Sequence, residues 1–315
     1  MTIQKYEDWM RPQVVALFDL EYNTGETQFD SLFKAFYEHP FQLEKCIRIV
    51  AVDGDKVAGF QSFFYWPVIR NGIEIRSYQS GNSLVHPDYR GKGLFGKMLN
   101  FIHEPGSGFD CELLIGFPVE ASYNSFMRNK WLNPFNLQWH IKLLNPFLSL
   151  FSDPASALKK AAGERVKCDF GCHKSITHIA QLASFDHYRF AYEQGEFFRY
   201  SFEKNGEKAF FEMKFQVRKR IIKELVVGKF LSSSSDEVFL QDALISLIRF
   251  VKKSSSFTMI SIAVNPTAVS LNHAVKGSGF RKIDKAIYFI AKGEVASQIN
   301  DWSDWWIFRS DIDTW

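Results

Sequence analysis

Apolar positions along the first half of the chain fall into two rhythms. Val14, Val15, Leu17, Phe18 and Tyr22 recur at helical spacing and predict a helix over 9–22, and a second follows over 29–37 with Pro40 closing it. The stretches 46–52 and 57–66 read as strands joined by Asp53-Gly54-Asp55-Lys56, a hairpin signal, after a short first strand over 3–6. Asn71-Gly72 turns the chain into a long strand over 74–85, which stops before Pro87 because proline has no N–H for a ladder. Leu94, Phe95, Met98, Leu99 and Ile102 then return at helical spacing, so a helix starts inside a cluster of glycines. After breaks at Pro105, Gly106 and Gly108 come a buried strand over 111–117, a helix over 121–129 and a strand over 136–143.

The second half repeats this order at lower contrast. Strands are predicted over 198–202, 209–217 and 221–230, a helix over 236–252, a strand over 257–264, a helix over 266–276 and a strand over 280–291. The expected fold class is therefore α/β of the α+β kind, two similar domains in tandem, each a mixed and mostly antiparallel sheet flanked by helices. Residues 1–145 form the first domain, 146–165 a connector with Pro146 and Pro154, and 166–315 the second domain.

Composition narrows the function classes. A length of 315 residues accommodates two domains with real cores, and 46% hydrophobic with 23% charged residues fits a soluble globular protein. The net charge of +3 is too small to point to nucleic acid. Four scattered cysteines make no disulfide framework, residues 1–15 have no apolar leader core, and no run is long enough for a membrane span, so the cytoplasm is the expected compartment. Cys168-x3-Cys172-His173-x4-His178 has no familiar zinc spacing and no metal site is assigned; His86 is given a neutral role in its turn.

The glycine cluster carries the chemistry. Gly91, Gly93 and Gly96 allow close approach of backbone to a ligand, and unpaired first-turn N–H groups with Arg90 and Lys92 make a site for a phosphate or pyrophosphate. Gly91-x4-Gly96-Lys97 continues with Met98, where a P-loop needs a hydroxyl for magnesium. Gly91-x-Gly93-x-x-Gly96 has dinucleotide-fingerprint spacing, but its strand follows hairpins rather than a βαβ crossover.

The stretch from Val85 through Arg90-Gly91-Lys92-Gly93-Leu94-Phe95 resembles the pyrophosphate loop of the GNAT acyltransferase superfamily: a strand ending in Val, four residues, then Arg/Gln-x-x-Gly-x-Gly/Ala. It departs only at Phe95, with Gly96 one step later. Phe117-Pro118, Ser122, Phe126 and Lys130-Trp131 resemble the superfamily's later strand-to-helix block, with Lys130 at the usual glycine, and the similarity covers residues 1–143. In the second half Asn265-Pro266, Ser270, Ala274 and Gly279-Phe280 resemble that block again. Its earlier loop, Leu231 to Glu237, lacks glycine, Arg and Lys, which makes it a degenerate copy with an acceptor-binding or structural role.

The resemblance implies transfer of an acyl group from acetyl-CoA or another acyl-CoA to a primary amine. It assigns Leu84, Val85, Arg90, Gly91, Lys92, Gly93, Leu94, Phe95 and Gly96 to cofactor binding, with the Val85 N–H facing the thioester oxygen. The polar residues before Val85 are Gln79, Ser80, Asn82 and Ser83, none an acid, so Asn82 is assigned a water relay for the amine proton. Phe126 stands where relatives carry a thiolate-protonating Tyr, and Tyr123, one turn earlier, is assigned that role.

Residues 301–315 hold four of the eight tryptophans beside several Asp. They read either as a last strand clamped on the second sheet or as aromatic faces for a sugar. Similar tails in tandem proteins of surface-polysaccharide synthesis point to a nucleotide- or lipid-linked amino sugar as acceptor. Two rivals remain: an aminoacyltransferase of the peptidoglycan-bridge type using charged transfer RNA, which does not need the loop, and a non-catalytic acyl-CoA-binding protein.

Overall fold

The computed structural model of the protein describes residues 1–22, 26–144, 172–180, 183–191, 197–219 and 221–313. The predicted connector and Cys168 lie outside the described residues. The first half runs β1 (Thr2–Lys5), α1 (Arg11–Tyr22), α2 (Glu26–Tyr37), β2 (Ile47–Asp53), β3 (Lys56–Tyr65), β4 (Val68–Arg70), β5 (Ile73–Ile75), β6 (Ser77–Val85), α3 (Leu94–Phe101), β7 (Leu113–Gly116), α4 (Glu120–Arg128) and β8 (Leu132–Leu143). The second runs β9 (His178–Ile179), α5 (Ala183–Ala191), β10 (Phe197–Lys204), β11 (Glu207–Arg218), β12 (Ile222–Ser232), α6 (Glu237–Ser254), β13 (Met259–Val264), α7 (Val269–Gly277), β14 (Arg281–Lys292) and α8 (Glu294–Gln298).

Eleven strands form one sheet in the order β1-β2-β3-β6-β7-β14-β8-β13-β12-β11-β10. Among the described residues of this sheet, only β6 with β7 and β12 with β13 pair in parallel; the other neighbours are antiparallel. β14, from the second half, lies between β7 and β8, and β8, from the first half, lies between β14 and β13. Each half thus lends its last strand to the other, and the two expected sheets are joined edge to edge.

The long strand expected over 74–85 divides at Arg76. Its N–H goes to the Glu112 side chain (2.8 Å) instead of a ladder, and β5 joins β4 and β9 in a separate three-stranded sheet. Lys130 and Gly279, which close the two similar strand-to-helix blocks, both take left-handed backbone (φ 61° and 80°), and each is followed by a buried ring, Trp131 and Phe280.

Alternation along the strands sends their apolar residues into separate cores. α3 and α4 cover one face of the first half, and α6 and α7 pack on the second half around Leu240, Leu244, Leu247 and Leu271. The core on the opposite face is shared: α1, α2 and α5 meet Phe135, Leu137 and Phe289 of the exchanged strands together with Trp302 and Trp305.

Among the described residues the expected last strand is not formed, and Trp315 lies outside them. The described stretch after α8 makes a single bridge, Thr177 to Trp305, and a 3-10 turn at Arg309–Asp311. Side chains satisfy several of its carbonyls, with Asn265 Nδ2 donating to Trp302 (2.8 Å) and Trp305 (3.0 Å). Trp302, Trp305 and Trp306 are buried, so these rings are core packing rather than an exposed sugar platform.

Asp311 anchors this stretch to strands in opposite halves of the sheet. Its carboxylate pairs with Lys229 of β12 (3.1 Å) and accepts from Phe308 N–H (2.8 Å), while its carbonyl accepts from Trp66 Nε1 just past β3 (2.9 Å). Those strands are six positions apart in the sheet order. Laid flat, they would be separated by about 29 Å, further than a lysine, one aspartate and a tryptophan can span. The sheet is therefore curved around the segment. Arg189 of α5, also buried, donates to the Ser310 carbonyl.

Lys229→Met leaves the Asp311 carboxylate buried without its cation, and we expect a loss of about 3–5 kcal/mol in urea unfolding. Adding Asp311→Asn, which keeps an acceptor for Phe308, should recover at least half of it; a double variant as unstable as the single would refute this account. His178 and His140 are buried and loss of hydration lowers their pKa below the usual imidazole value. A depressed folded-state value means that their stabilising contribution is present above the unfolded value and is lost as pH falls through the folded one. The urea midpoint should drop between about pH 7.5 and about pH 5.5, and His178→Gln should flatten that slope.

Candidate active site

β6 pairs with β3 along its length but with β7 only from Ser77↔Leu113 to Ser80↔Gly116. β7 ends at Gly116, so among the described residues the β7-facing edge of β6 has no strand partner from Gly81 to Val85. The parting begins at a bulge. Gln61 opposes Ser83 and Ser62 opposes Gly81, which leaves Asn82 as the extra residue with φ 40°, a region asparagine tolerates better than most.

Side chains clamp the bulge. Asn82 Nδ2 donates to the Tyr37 hydroxyl (2.7 Å), Tyr37 to Ser62 Oγ (3.1 Å), and Ser62 to the Gly81 carbonyl (2.9 Å). An amide NH2 only donates and a carbonyl only accepts, so the direction of every proton in this chain is fixed. Burial raises the Tyr37 pKa well above the usual phenol value and keeps it a neutral donor. Gln61 is the second clamp: its Nε2 reaches Ser80 Oγ and the Gly81 carbonyl (both 3.2 Å), and its Oε1 accepts from Ser83 (2.5 Å).

The His86 N–H bonds the Ala58 carbonyl of β3 (2.9 Å). By alternation, the Val85 N–H and C=O point the other way, into the gap beside β6. Arg90 Nε takes that carbonyl (3.1 Å), and its guanidinium pairs with Glu21 of α1. The chain then passes Gly91 (φ 76°) to Gly93 (φ 73°), which caps α3 in a left-handed conformation. The bond from Lys97 N–H to the Gly93 carbonyl (3.1 Å) opens the helix, so the N–H groups of Leu94, Phe95 and Gly96 lack intrahelical partners. A Cβ at Gly91 or Gly93 would meet nothing within 4 Å, so the loop surface is open.

The other predicted residues divide. Leu84 is buried in the shared core, and Lys92 Nζ lies over the Tyr89 ring (4.7 Å). Gly96 has a packing reason to be small, since a Cβ there would lie 2.8 Å from Asn129 Oδ1 at the end of α4. Phe95 sets its ring edge-on to Phe126 (5.3 Å), between α3 and α4. Tyr123 donates to Asn133 Oδ1 (3.0 Å) and stacks on Tyr288 (4.2 Å), so its hydroxyl is engaged at the β8–β14 junction. A cleft of about 640 Å3 opens on the α1 side of the loop, lined in part by Leu17, Leu20, Lys56, His86, Tyr89 and Lys92.

Two groups went unassigned in the sequence. Gln79, on the Gly81 face of β6, is fully buried, and neither of its amide atoms has a partner among the described residues. Asp313 reaches β6 from the far end of the chain: a Cβ on Gly81 would lie 3.0 Å from its Oδ2 and 2.6 Å from Phe64 Cε2. A glycine inside a strand of polar residues was the available signal, because it marks a close approach.

The overall fold superposes on solved structures. A GCN5-related N-acetyltransferase from Anabaena variabilis superposes with TM-score 0.61 at 10% identity, over 92% of this chain and 72% of that one. One from Kribbella flavida gives 0.56 at 10% identity over 94% and 72%, and N-myristoyltransferase from Saccharomyces cerevisiae with bound myristoyl-CoA gives 0.52 at 13% identity over 92% and 82%. The fold is that of the GCN5-related N-acetyltransferases. No protein-family model matches the sequence, and no curated protein matches it. Within this GNAT fold the second half keeps a bulge as well: on β12 Gly228 is the extra residue between Glu212↔Lys229 and Met213↔Val227. Its helix N-terminus differs, since Asp236 caps α6 by accepting from Phe239 N–H (2.9 Å).

Tyr37→Phe removes the middle of the bulge clamp and leaves polar groups of Asn82 and Ser62 without it. It should cost about 1–3 kcal/mol in denaturant unfolding; a neutral substitution would show that the bulge does not depend on this chain of bonds.

Proposed function

We propose that the protein is an acyltransferase that moves an acyl group from an acyl-CoA thioester to a primary amine. One observation carries the reading: the unpaired edge of β6 from Gly81 to Val85 runs directly into the open N-terminus of α3, capped by Gly93. An extended acyl-pantetheine arm fits along such an edge, and a pyrophosphate suits the N–H groups and positive dipole end of a helix start.

In this reading the main chain of Gly91, Lys92, Gly93, Leu94, Phe95 and Gly96 holds the pyrophosphate. Leu84 and Val85 line the arm, with the Val85 N–H directed at the thioester oxygen, where such a donor is worth about 3 kcal/mol in the transition state. Arg90 acts through structure, fixing the end of β6 to α1 by Val85 and Glu21. Asn82 holds the bulge that opens the gap, and its amide orients water there. Tyr123, released from Asn133, supplies a proton to the leaving thiolate.

The acyl chain and the amine are choices within this class. Long chains belong in the test because a structural neighbour holds myristoyl-CoA. Amino sugars carried on a nucleotide or lipid are the first acceptors to screen. Among the described residues no helix is long and apolar enough to cross a membrane.

Calorimetric titration of acetyl-CoA and myristoyl-CoA into the protein tests the reading. At least one should bind, and Gly93→Glu, which forces a side chain into left-handed backbone and sets an acid beside the pyrophosphate, should weaken it by about tenfold or more. A folded protein that binds neither would overturn the proposal.

A further inference from the structure

β6 carries no acid, yet the amine in an acyl transfer must lose a proton as it attacks. We propose that Asp313, delivered by the 300–313 segment to the β6 bulge, is the general base of the reaction; this rests on the acyltransferase reading above.

Three observations converge. The Asp313 carboxylate lies beside the place that a side chain at Gly81 would take, its Oδ2 3.0 Å from a Cβ there, at the first residue of β6 beyond its last pair with β7, where the gap opens. The approach requires a glycine, because any Cβ at 81 would press on both Phe64 and Asp313. Two residues earlier on the same strand face, Gln79 is fully buried with both amide atoms unpartnered among the described residues, a polar floor suited to an amine or amide nitrogen.

The segment that delivers Asp313 is firmly held. Asp311 is fixed by Lys229 and Trp66, and the Ser310 carbonyl by Arg189, so the carboxylate two residues on is positioned by buried contacts. Among the described residues, one titratable group that feels Asp313 is on α1. Tyr22 of α1 has its pKa raised mainly by burial, with further contributions from Glu21 and Asp313. At the neighbouring bulge residue, Tyr37 of α2 accepts from the Asn82 amide, and Lys229 of β12 is paired with Asp311, two residues earlier in the chain.

The step balances without a further reactant. Asp313 takes one proton from the amine nitrogen as the N–C bond forms to the thioester carbonyl carbon. The C–S bond breaks with its electron pair going to sulfur, and the thiolate takes a proton from Tyr123, which solvent restores, to leave as free thiol. Asp313 gives its own proton back to solvent and is regenerated.

Asp313→Asn and Asp313→Glu test the proposal, with thermal unfolding as a check on fold. Acyl-CoA affinity is measured by calorimetry, and thiol release is followed with glycinamide and hydroxylamine as acceptors across pH. In Asp313→Asn the affinity should stay within about twofold of the parent, while kcat falls by about 10²–10³-fold. The deficit should shrink as rising pH deprotonates the amine in solution, and Asp313→Glu should recover part of the rate. A ¹³C-tyrosine titration should show the Tyr22 pKa lowered in Asp313→Asn, a readout of placement that needs no turnover. Asp313→Asn with parental kcat and pH profile would overturn the base. Absence of acyl-CoA binding in the unsubstituted protein would instead overturn the acyltransferase reading.

Discussion

One buried residue, Asp311, sets the geometry on which the candidate site depends. Its carboxylate neutralises Lys229 on β12, and its carbonyl satisfies the indole of Trp66 beside β3. A cation as buried as Lys229 is tolerated only with a partner. The partner sits on a segment with no regular hydrogen-bond ladder, so the fold fixes that segment through side chains. Curvature of the sheet, burial of the tryptophans and the position of Asp313 all follow from it.

The two halves show how one scaffold is kept or closed. Both central strands bulge near the end of their parallel partner, at Asn82 and at Gly228. Both later blocks end in a left-handed residue followed by a buried ring. They differ at the helix that follows the central strand. α3 starts from a glycine with no side chain to cap it, whereas α6 satisfies its own first turn with Asp236. An N-terminus that is already capped by a carboxylate has little to offer an anion.

Local features were legible in the sequence because their causes are local. The hairpin at Asp53-Gly54, the helix start at Gly93 and the strand stop at Pro87 each follow from the dihedral preferences of a few residues, and the structure has them. Lys130 was readable as a glycine stand-in from its block, and its φ of 61° agrees. Long-range features were not legible. Nothing in the alternation of β8 or β14 says which neighbour either strand will choose. Asp313 is 232 positions from Gly81, and only the folded segment joins them. The tryptophans illustrate the same limit, since aromatic content does not distinguish a ring that meets a ligand from one that meets Phe289. Of the candidate residues, the loop from Arg90 to Gly96 was visible as a motif, while the clamp of Tyr37, Ser62 and Gln61 comes from three-dimensional pairing of β3, α2 and β6.

The exchange of β8 and β14 has a consequence for how the chain comes to be. β7 is made early in synthesis, but the strand that pairs its free edge ends at Lys292. Until most of the polypeptide has left the ribosome, that edge is an exposed template for pairing with another chain. Contacts this distant also slow folding. The nascent protein is therefore expected to need chaperone cover from the emergence of β7 until β14 has been made, and to complete its first half only then.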